Sequence, residues 1–185
     1  MEIERKFLVD LSDLPFDPKD YPARKIEQAY LCTAPVVRIR RDNDDFFLTY
    51  KSKGMMVREE YNLPLTKESY YHLLLKADGR IITKTRYVIP IENGLFVELD
   101  IFEGDLAPLV LAEIEFPDEA FAKAYQAPSW LKEDVTYSSE YHNSTLIGFR
   151  QWAVHPCLLI FQVTIVILFL FSSWTCVLCR DTILQ

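Results

Sequence analysis

The sequence contains few residues of the kinds that bind zinc or form disulfide bonds. It has four cysteines and three histidines among 185 residues, and Cys32 stands alone among the first 149. Cys176 and Cys179 form a C-x-x-C pair without a second pair to match it. We therefore expect a reducing, cytoplasmic location and no zinc site. The chain opens on a charged strand, so we also expect no secretory signal peptide.

The histidines are too scattered to form a ligand set, so we expect surface or packing roles for them. They occur on a predicted helix, in a terminal segment and in the C-terminal tail: His72, His142 and His155.

Basic side chains are fewer than acidic ones. Of the 20 basic and 27 acidic side chains, Arg150, Arg180 and Asp181 lie beyond residue 149, which leaves 18 and 26 and a net charge of −8. DNA and RNA binding needs accumulated positive charge, so we expect no nucleic-acid partner.

Charge of either sign is absent from residues 151–179. The segment 156–179 is long enough to cross a bilayer as a helix. We place a domain boundary between residues 149 and 150 and keep three interpretations of residues 150–185. They are a membrane anchor, a non-native extension such as a frameshift product, and a helix that packs on another subunit. The single arginine on each side, Arg150 and Arg180, gives no orientation.

What the sequence has in abundance is pairs of charged residues two positions apart. Seven segments show them, beginning with Glu2-Ile3-Glu4-Arg5-Lys6. The other six are Arg38/Arg40, Lys51/Lys53, Arg58/Glu60, Lys84/Arg86, Glu98/Asp100 and Glu113/Glu115. This spacing puts both members on one face of a β-strand, whereas on a helix they would point about 200° apart. Solvent-facing charge explains any single pair. Seven pairs together favour a closed or strongly curved sheet with an ionic concave face.

Turn residues and hydrophobic patterns predict an α+β fold with eight antiparallel strands and outer helices in residues 1–149. The strands are expected near 2–9, 25–33, 35–41, 45–53, 56–64, 79–90, 94–103 and 109–116. Helices are expected at 66–76, 118–125 and 138–147. Asn93-Gly94 is typical of a two-residue hairpin turn. Because consecutive strands are joined by short turns, we expect a barrel that encloses the charged face.

The residue types of this face indicate phosphoryl chemistry. Arginine and lysine bind phosphate oxygens, and clustered carboxylates without histidine or cysteine suit Mg²⁺ or Mn²⁺. The order of the motifs resembles the CYTH, or triphosphate tunnel metalloenzyme, superfamily. The matching motifs are Glu2-x-Glu4-x-Lys6, Gln28-x-Tyr30, Arg38-x-Arg40, Leu48-Thr49-x-Lys51, Arg58-Glu59-Glu60, Lys84-x-Arg86, Glu98-x-Asp100, Glu113-x-Glu115, Asp134-Val135-Thr136 and Tyr141-x-Asn143-x-x-Leu146.

The resemblance implies an eight-stranded β tunnel that binds a triphosphate and two divalent metal ions. Phosphate oxygens would be held by Arg38, Arg40, Lys51, Lys84 and Arg86. Metal ions or the attacking water would be held by Glu2, Glu4, Glu60, Asp100, Glu113 and Glu115, with Glu98 as a weaker member. Lys6 would stabilise the charge of the leaving group, with its protonation tuned by Tyr30, although a strand tyrosine also fits a packing role. Arg58 and Lys53 are expected as ion-pair partners of the carboxylates.

We therefore expect metal-dependent hydrolysis of a small triphosphate, with inorganic tripolyphosphate as the first candidate. Formation of cyclic AMP from ATP and hydrolysis of thiamine triphosphate remain alternatives on the same fold. A non-catalytic polyphosphate- or nucleotide-binding module is an alternative of another class. The sequence does not fix the oligomeric state, although an apolar flank is compatible with a homodimer.

Overall fold

The computed structural model describes residues 1–148, and the predictions for residues 150–185 lie outside them. The strands are β1 (Glu2–Val9), β2 (Ala23–Thr33), β3 (Val36–Asp42), β4 (Asp45–Lys51), β5 (Val57–Arg58), β6 (Glu60–Pro64), β7 (Asp78–Pro90), β8 (Phe96–Phe102), β9 (Val110–Glu115) and β10 (Leu131–Asp134). The α-helices are α1 (Lys67–Leu74), α2 (Glu119–Ala124) and α3 (Asn143–Leu146). Short 3₁₀ turns lie at Leu11–Asp13, Pro18–Asp20, Glu92–Gly94, Gly104–Leu106 and Ser139–Tyr141. Within residues 1–148, no helix is both long enough and apolar enough to span a membrane.

The strands form a closed antiparallel barrel, which confirms the predicted fold class. Their order is β1-β9-β8-β7-β2-β3-β4-β6, and β5 returns to pair with β1. The predicted strand 56–64 is divided at Glu59, where its partner changes from β1 to β4. Glu59 bonds Ser52 there, through its own N–H to the Ser52 hydroxyl and its carbonyl to the Ser52 N–H, both at 3.0 Å. The closing register then pairs Glu2 with Arg58 and Ile3 with Val57.

Strand β10 is an addition that the hydrophobic pattern does not reveal. It pairs with the second half of β1, where Phe7 lies opposite Asp134 and Val9 opposite Leu131. Three consecutive charged residues, 132–134, follow its single apolar residue, so the segment lacks the alternation that identifies a strand. Residues 1–148 contain ten strands, but the barrel still has the eight predicted strand positions. β5 and β6 together occupy one of them, and β10 is added at the edge of β1.

Apolar side chains and two helices cover the outside of the barrel. Ile3, Phe7, Leu99 and Ile114 belong to one buried cluster, to which residues of the α2 region add. On the other side Tyr70 of α1 packs on strands β2 and β3, in the cluster that contains Ala29 and Ile39. Burial of these side chains stabilises the barrel by roughly 1.5–3 kcal/mol for each large aliphatic or aromatic residue.

The sequence signals at helix and turn boundaries are confirmed. Thr66 caps α1 by accepting a bond from the Ser69 N–H at 3.1 Å, and Asp118 caps α2 by accepting from the Phe121 N–H at 2.7 Å. In the β7–β8 connection, Asn93 and Gly94 have φ values of 61° and 69°. Both lie in the left-handed region, which asparagine and glycine adopt most readily.

The interior of the barrel changes from charged to apolar toward one end. Six residues share the strand-face parity of the charged pairs but belong to a hydrophobic cluster: Leu8, Tyr30, Val36, Ile82, Phe102 and Leu111. Leu146 of α3 and the following Ile147 pack in the same cluster. This apolar plug closes one end of the barrel, so the charged cavity is blind on that side.

Arg5 joins the outer face of β1 to the end of α2. Its Nη1 donates to the carbonyls of Ala122 and Tyr125 at 3.0 and 2.9 Å, and its Nη2 donates to Asp134 at 2.6 Å. Because the Arg5 side chain is largely buried, we expect Arg5→Ala to lower the free energy of unfolding by about 2–4 kcal/mol. Urea unfolding measures the change.

The matched control is Lys123→Ala, which removes an exposed i,i+4 ion pair with Glu119. Because solvent screens such an exposed pair, we expect its loss to change stability much less than the loss of Arg5. Equal effects of the two substitutions would show that the Arg5 contacts do not stabilise the fold.

Candidate active site

The inner face of the barrel encloses a highly charged cavity of about 190 Å³. Its basic lining residues are Lys6, Arg24, Arg38, Arg40, Lys51, Arg58, Lys84 and Arg86. Its acidic lining residues are Glu2, Glu4, Glu60, Glu98, Glu113 and Glu115. Asp42 and Asp100 lie beside this lining and pair with Arg24, Lys84 and Arg86, so the eight cations are balanced by eight carboxylates. The cavity therefore concentrates charge of both signs, as a site for an anion together with cations requires.

The structure brings together almost all the residues that the sequence singles out. Of the thirteen predicted catalytic, phosphate-binding and metal-binding residues, all but Asp100 line this cavity. Asp100 is fully buried behind the lining. It accepts bonds from Nε and Nη2 of Arg86, each at 2.6 Å, and from the ammonium of Lys84. In this structure Asp100 holds two cations in position, and metal binding by it stays a prediction.

Lys6 is a buried ammonium inside a ring of carboxylates. Its Nζ lies 2.7 Å from Glu113, and only 5% of its surface is exposed. Burial by itself lowers the pKa of Lys6, but Glu113 and Glu4 more than offset it, and the resulting pKa lies above the ordinary value. Lys6 therefore stays protonated at neutral pH. It can stabilise negative charge and cannot act as a base in this state.

Tyr30 lies on the same wall, where the charged interior meets the apolar plug. Gln28 Nε2 donates to the Tyr30 hydroxyl at 3.2 Å. Burial raises the pKa of Tyr30, against the opposing influence of Arg38 and Lys6. The phenol therefore keeps its proton and can act as a hydrogen-bond donor. Glu113 and Glu4, rather than Tyr30, dominate the charge environment of Lys6.

Arg38 and Arg40 are the cavity cations without a carboxylate partner among residues 1–148. Neither forms an ion pair there, whereas Arg24 is paired with Asp42 and the other cavity cations with carboxylates of the lining or with Asp100. The Nε atoms of Arg38 and Arg40 are buried and have no hydrogen-bond partner in this part of the chain. Burial, Arg38 and Arg86 lower the pKa of Arg40 to about 10, so it is still charged at neutral pH. A buried and a half-buried guanidinium group, each without a carboxylate partner and with an unpaired Nε among residues 1–148, form a site for an anion.

The remaining predicted phosphate ligands are held by carboxylates. Lys51 Nζ contacts Glu2 at 2.6 and 2.8 Å and Glu60 at 2.5 Å. Arg58 Nη2 donates to Glu4 at 2.6 Å, which agrees with its expected ion-pair role. Burial lowers the pKa of Lys84 to about 8. These contacts keep the cavity ordered, and an anionic ligand would compete with the carboxylates for the same donors.

The carboxylates of the cavity form a donor set that fits hard divalent cations. Glu4 lies opposite Glu115 across β1 and β9, and Glu98 lies opposite Glu113 across β8 and β9. Like charges at opposed positions repel each other unless a cation lies between them. Burial and the charge of Glu4 raise the pKa of Glu2 to about 7, and burial, Glu98 and Glu4 raise the pKa of Glu115.

Oxygen donors of this kind suit Mg²⁺ and Mn²⁺. In residues 1–148, no three His, Cys, Asp or Glu side chains already converge on one point. Glu2, Glu4, Glu60, Glu98 and Glu113 each face a lysine or arginine instead. Ligation therefore requires some of these ion pairs to open.

Eight lining residues lie outside the thirteen predicted catalytic, phosphate-binding and metal-binding residues: Arg24, Gln28, Val36, Arg58, Glu98, His142, Asn143 and Ser144. His142 is half-buried in the lining, and burial together with Lys6 and Arg58 lowers its pKa. The expected surface or packing role of His142 stays a prediction, and the structure adds that this residue lies in the cavity lining. Residues 142–144 reach the cavity because the chain folds back over the plugged end, a placement that strand periodicity cannot show. The motif Tyr141-x-Asn143 was the available signal.

Comparison with known proteins agrees with this geometry. The CYTH domain family matches residues 1–147. A protein of Nitrosomonas europaea named inorganic triphosphatase is 37% identical over 148 residues, which cover 78% of this chain and 95% of that protein. A second inorganic triphosphatase, of Acetivibrio thermocellus, is 38% identical over 114 residues, or 60% of this chain and 70% of its own length.

A solved structure shows the same architecture. A crystal structure of an inorganic triphosphatase superposes with a TM-score of 0.62 at 34% identity, and the match covers 82% of this chain and 97% of the solved one. The family match includes every strand of the barrel and every predicted residue of the charged cavity. The chain belongs to the CYTH domain family.

Proposed function

We propose that this protein is a divalent-metal-dependent triphosphatase whose primary substrate is inorganic tripolyphosphate. The observation that carries the proposal is that Arg38 and Arg40, which have no carboxylate partner among residues 1–148, line the same cavity as a set of carboxylates. A phosphate chain would satisfy the arginines, and divalent cations would satisfy the carboxylates. The names of the two bacterial relatives, both inorganic triphosphatases, support the assignment.

The chain's own residues supply binding, orientation and charge. Arg38 and Arg40 would bind phosphate oxygens, and Lys51, Lys84 and Arg86 would add phosphate contacts where their partner carboxylates hold metal ions instead. Lys6 holds its proton at Nζ and stabilises the charge that develops on the leaving phosphate. Tyr30 donates its hydroxyl proton to a neighbouring oxygen. Bound Mg²⁺ or Mn²⁺ would neutralise phosphate charge and lower the pKa of the attacking water.

The size and lining of the cavity favour the smallest substrate. About 190 Å³ is less than the ~300–1,000 Å³ of pockets that bury drug-sized ligands. Within the described lining, Tyr30 and His142 are the only residues with aromatic rings, and Tyr30 is 2% exposed. The cavity therefore recognises the triphosphate and offers no open platform for a base. No feature of the cavity favours cyclisation of ATP over hydrolysis.

The test compares neighbouring arginines of strand β3. Arg40→Ala is expected to raise KM for tripolyphosphate by about tenfold or more, because one charge-assisted contact to phosphate contributes roughly 1.5–3 kcal/mol. Arg41→Ala is the matched control, since Arg41 is the next residue on the strand and donates to the carbonyl of Asn43 outside the cavity. Phosphate release in Mg²⁺ and in Mn²⁺ is the measurement.

The same assay separates the alternatives. Substrates are tripolyphosphate, ATP and thiamine triphosphate, and ATP reactions are also analysed for cyclic AMP. Cyclic AMP as the main product would replace the proposed hydrolysis by a cyclase reaction. Binding of tripolyphosphate without phosphate release in either metal would instead identify a non-catalytic binding module.

A further inference from the structure

The backbone of Lys6 is held from outside the cavity by the turn Asp134-Val135-Thr136. This turn begins at the last residue of β10, and none of its three residues lines the charged cavity. Both backbone groups of Lys6 bond to it. The Lys6 N–H donates to Thr136 Oγ1 at 3.0 Å, and the Lys6 carbonyl accepts from the Val135 N–H at 2.8 Å. The turn therefore contacts the site through the backbone of a single cavity residue.

These two bonds determine how Lys6 meets its carboxylate partner. In an antiparallel sheet, the N–H and the carbonyl of one residue point to the same neighbouring strand. Since both groups of Lys6 point toward the turn, Lys6 and Glu113 form a non-hydrogen-bonded pair across β1 and β9. Side chains lie closest together in pairs of this kind. The 2.7 Å contact between Lys6 Nζ and Glu113 therefore depends on the orientation in which the turn holds the Lys6 backbone.

Thr136 supplies a hydroxyl where a sheet normally supplies a backbone carbonyl. Strand β10 ends at Asp134, so the acceptor for the Lys6 N–H is the Thr136 side chain. Lys6 and Thr136 are only 5% and 4% exposed, so water cannot readily replace this hydroxyl. Loss of the hydroxyl would leave a buried N–H without its acceptor, which favours a local rearrangement of the strand.

Asp134 fixes the direction in which the Thr136 hydroxyl points. Its Oδ1 accepts from the Thr136 N–H at 2.9 Å and from the Thr136 hydroxyl. A hydroxyl carries one proton, so the lone pairs of this oxygen are left for the Lys6 N–H. The other oxygen of Asp134 accepts from Arg5 Nε and Nη2 at 3.1 and 2.6 Å. Burial by itself raises the pKa of Asp134, but the bonds from Thr136 and Arg5 more than offset it, and the carboxylate stays ionised.

We propose that Thr136 is a positioning residue for Lys6, and that Asp134 orients its hydroxyl for this role. The inference rests on the proposed function, in which Lys6 stabilises the charge on the leaving phosphate. Because Thr136 lies outside the lining, it acts only through Lys6. Its loss displaces the ammonium and slows the chemical step, whereas Arg38 and Arg40 continue to bind the phosphates.

The test replaces the Thr136 hydroxyl by a methyl group of similar size. Thr136→Val is expected to lower kcat for tripolyphosphate by about ten- to hundredfold, because a displacement of about 1 Å in an active site has effects of this size. KM should change by less than about threefold, since binding of the ground state is retained. Thr136→Ser restores the hydroxyl and should return kcat to within about threefold of the wild type. Amide hydrogen exchange of Lys6, followed by NMR, should be faster in Thr136→Val and normal in Thr136→Ser.

Thr85→Val is the matched control. Thr85 is also a buried strand threonine, and its hydroxyl donates to Glu103 at 2.7 Å outside the cavity. Urea unfolding gives the folded fraction of each variant, to which kcat is referred. The positioning role is ruled out if kcat of Thr136→Val stays within threefold of the wild type, if Thr136→Ser does not restore it, or if Thr85→Val lowers it equally.

Failure of the proposed function has a different signature. The wild type would then release no phosphate from tripolyphosphate in Mg²⁺ or in Mn²⁺. That result would overturn the proposed function and, with it, a positioning role in hydrolysis, even if exchange of the Lys6 amide still responded to Thr136→Val.

Discussion

Lys6→Met is expected to lower kcat for tripolyphosphate by about 10²–10³-fold while KM changes little. The substitution removes a preorganised positive charge from the proposed position of the leaving phosphate, and loss of one such group costs roughly this factor in rate. Lys6 is buried and its pKa is raised, so its charge is fixed before the substrate binds. Binding of the ground state should be less affected, because Arg38 and Arg40 remain.

The variant is expected to fold, because Arg86 still contacts Glu113 at 2.6 Å and keeps this carboxylate paired. Urea unfolding checks that expectation independently of activity. Lys6→Arg tests whether the compact ammonium is required, and Lys25→Met is the control, because Lys25 forms an exposed ion pair with Glu103. A folded Lys6→Met protein with a kcat within threefold of the wild type would remove Lys6 from the catalytic machinery.

The barrel and its ionic interior could be predicted because their signals are local. A strand alternates between two faces, so Glu2, Glu4 and Lys6 had to share one face once β1 was a strand. The same argument holds for the later charged pairs except Lys51/Lys53, because β4 ends at Lys51 and Lys53 is exposed, with no carboxylate partner among residues 1–148. Since all these faces were ionic, a closed sheet was the arrangement that gave them one common environment.

The contacts within the site could not be predicted, because they depend on how distant strands meet. Nothing in the spacing of Glu98 and Asp100 shows that the first lines the cavity while the second is buried against Arg86. The split at Glu59 follows from barrel closure, which brings β1 within reach of β5. His142 enters the lining through packing of the last described helix on the apolar plug.

Some cavity cations have a carboxylate partner and others do not, and this difference follows from the same long-range geometry. Lys51 is next to Glu60 in the register of β4 and β6, whereas Arg38 lies opposite Thr49 and Arg40 opposite Phe47. Sequence patterns treated these cations as equivalent phosphate ligands. In the structure, carboxylates already neutralise the other cavity cations. An incoming anion can bind Arg38 and Arg40 without displacing a carboxylate.

Metal affinity is expected to rise as the pH increases from 5 to 7, by roughly 10²-fold, and to level off above pH 7. Burial raises the pKa of Glu2 from 4.5 to about 7, with Glu4 adding to the rise and Lys51 opposing it. Glu60, which shares Lys51 with Glu2, has its pKa lowered to about 2, so the pair holds one proton and Glu2 carries it. Below that pKa, a metal ion that binds Glu2 must displace a proton, which costs about tenfold in affinity for each pH unit. Above it the carboxylate is already ionised.

The raised pKa of Glu2 also makes the stability of the fold depend on pH. Because the pKa of Glu2 in the folded protein lies above its ordinary value, the folded state binds a proton more tightly than the unfolded chain. Its stabilising contribution is complete below about pH 4.5 and is lost as the pH rises through about 7. Bound metal should offset that loss, so the rise in Tm caused by saturating Mn²⁺ should be larger at pH 8 than at pH 5.5.

Calorimetric titration with Mn²⁺ across this pH range, together with thermal unfolding, measures both effects. Glu2→Gln should flatten the pH dependence and leave a smaller slope from Glu115, whose pKa is also raised. Glu133→Gln is the control, because Glu133 is an exposed carboxylate on β10 outside the cavity. An unchanged slope in Glu2→Gln, with metal still bound, would show that Glu2 is not the carboxylate whose proton the metal displaces.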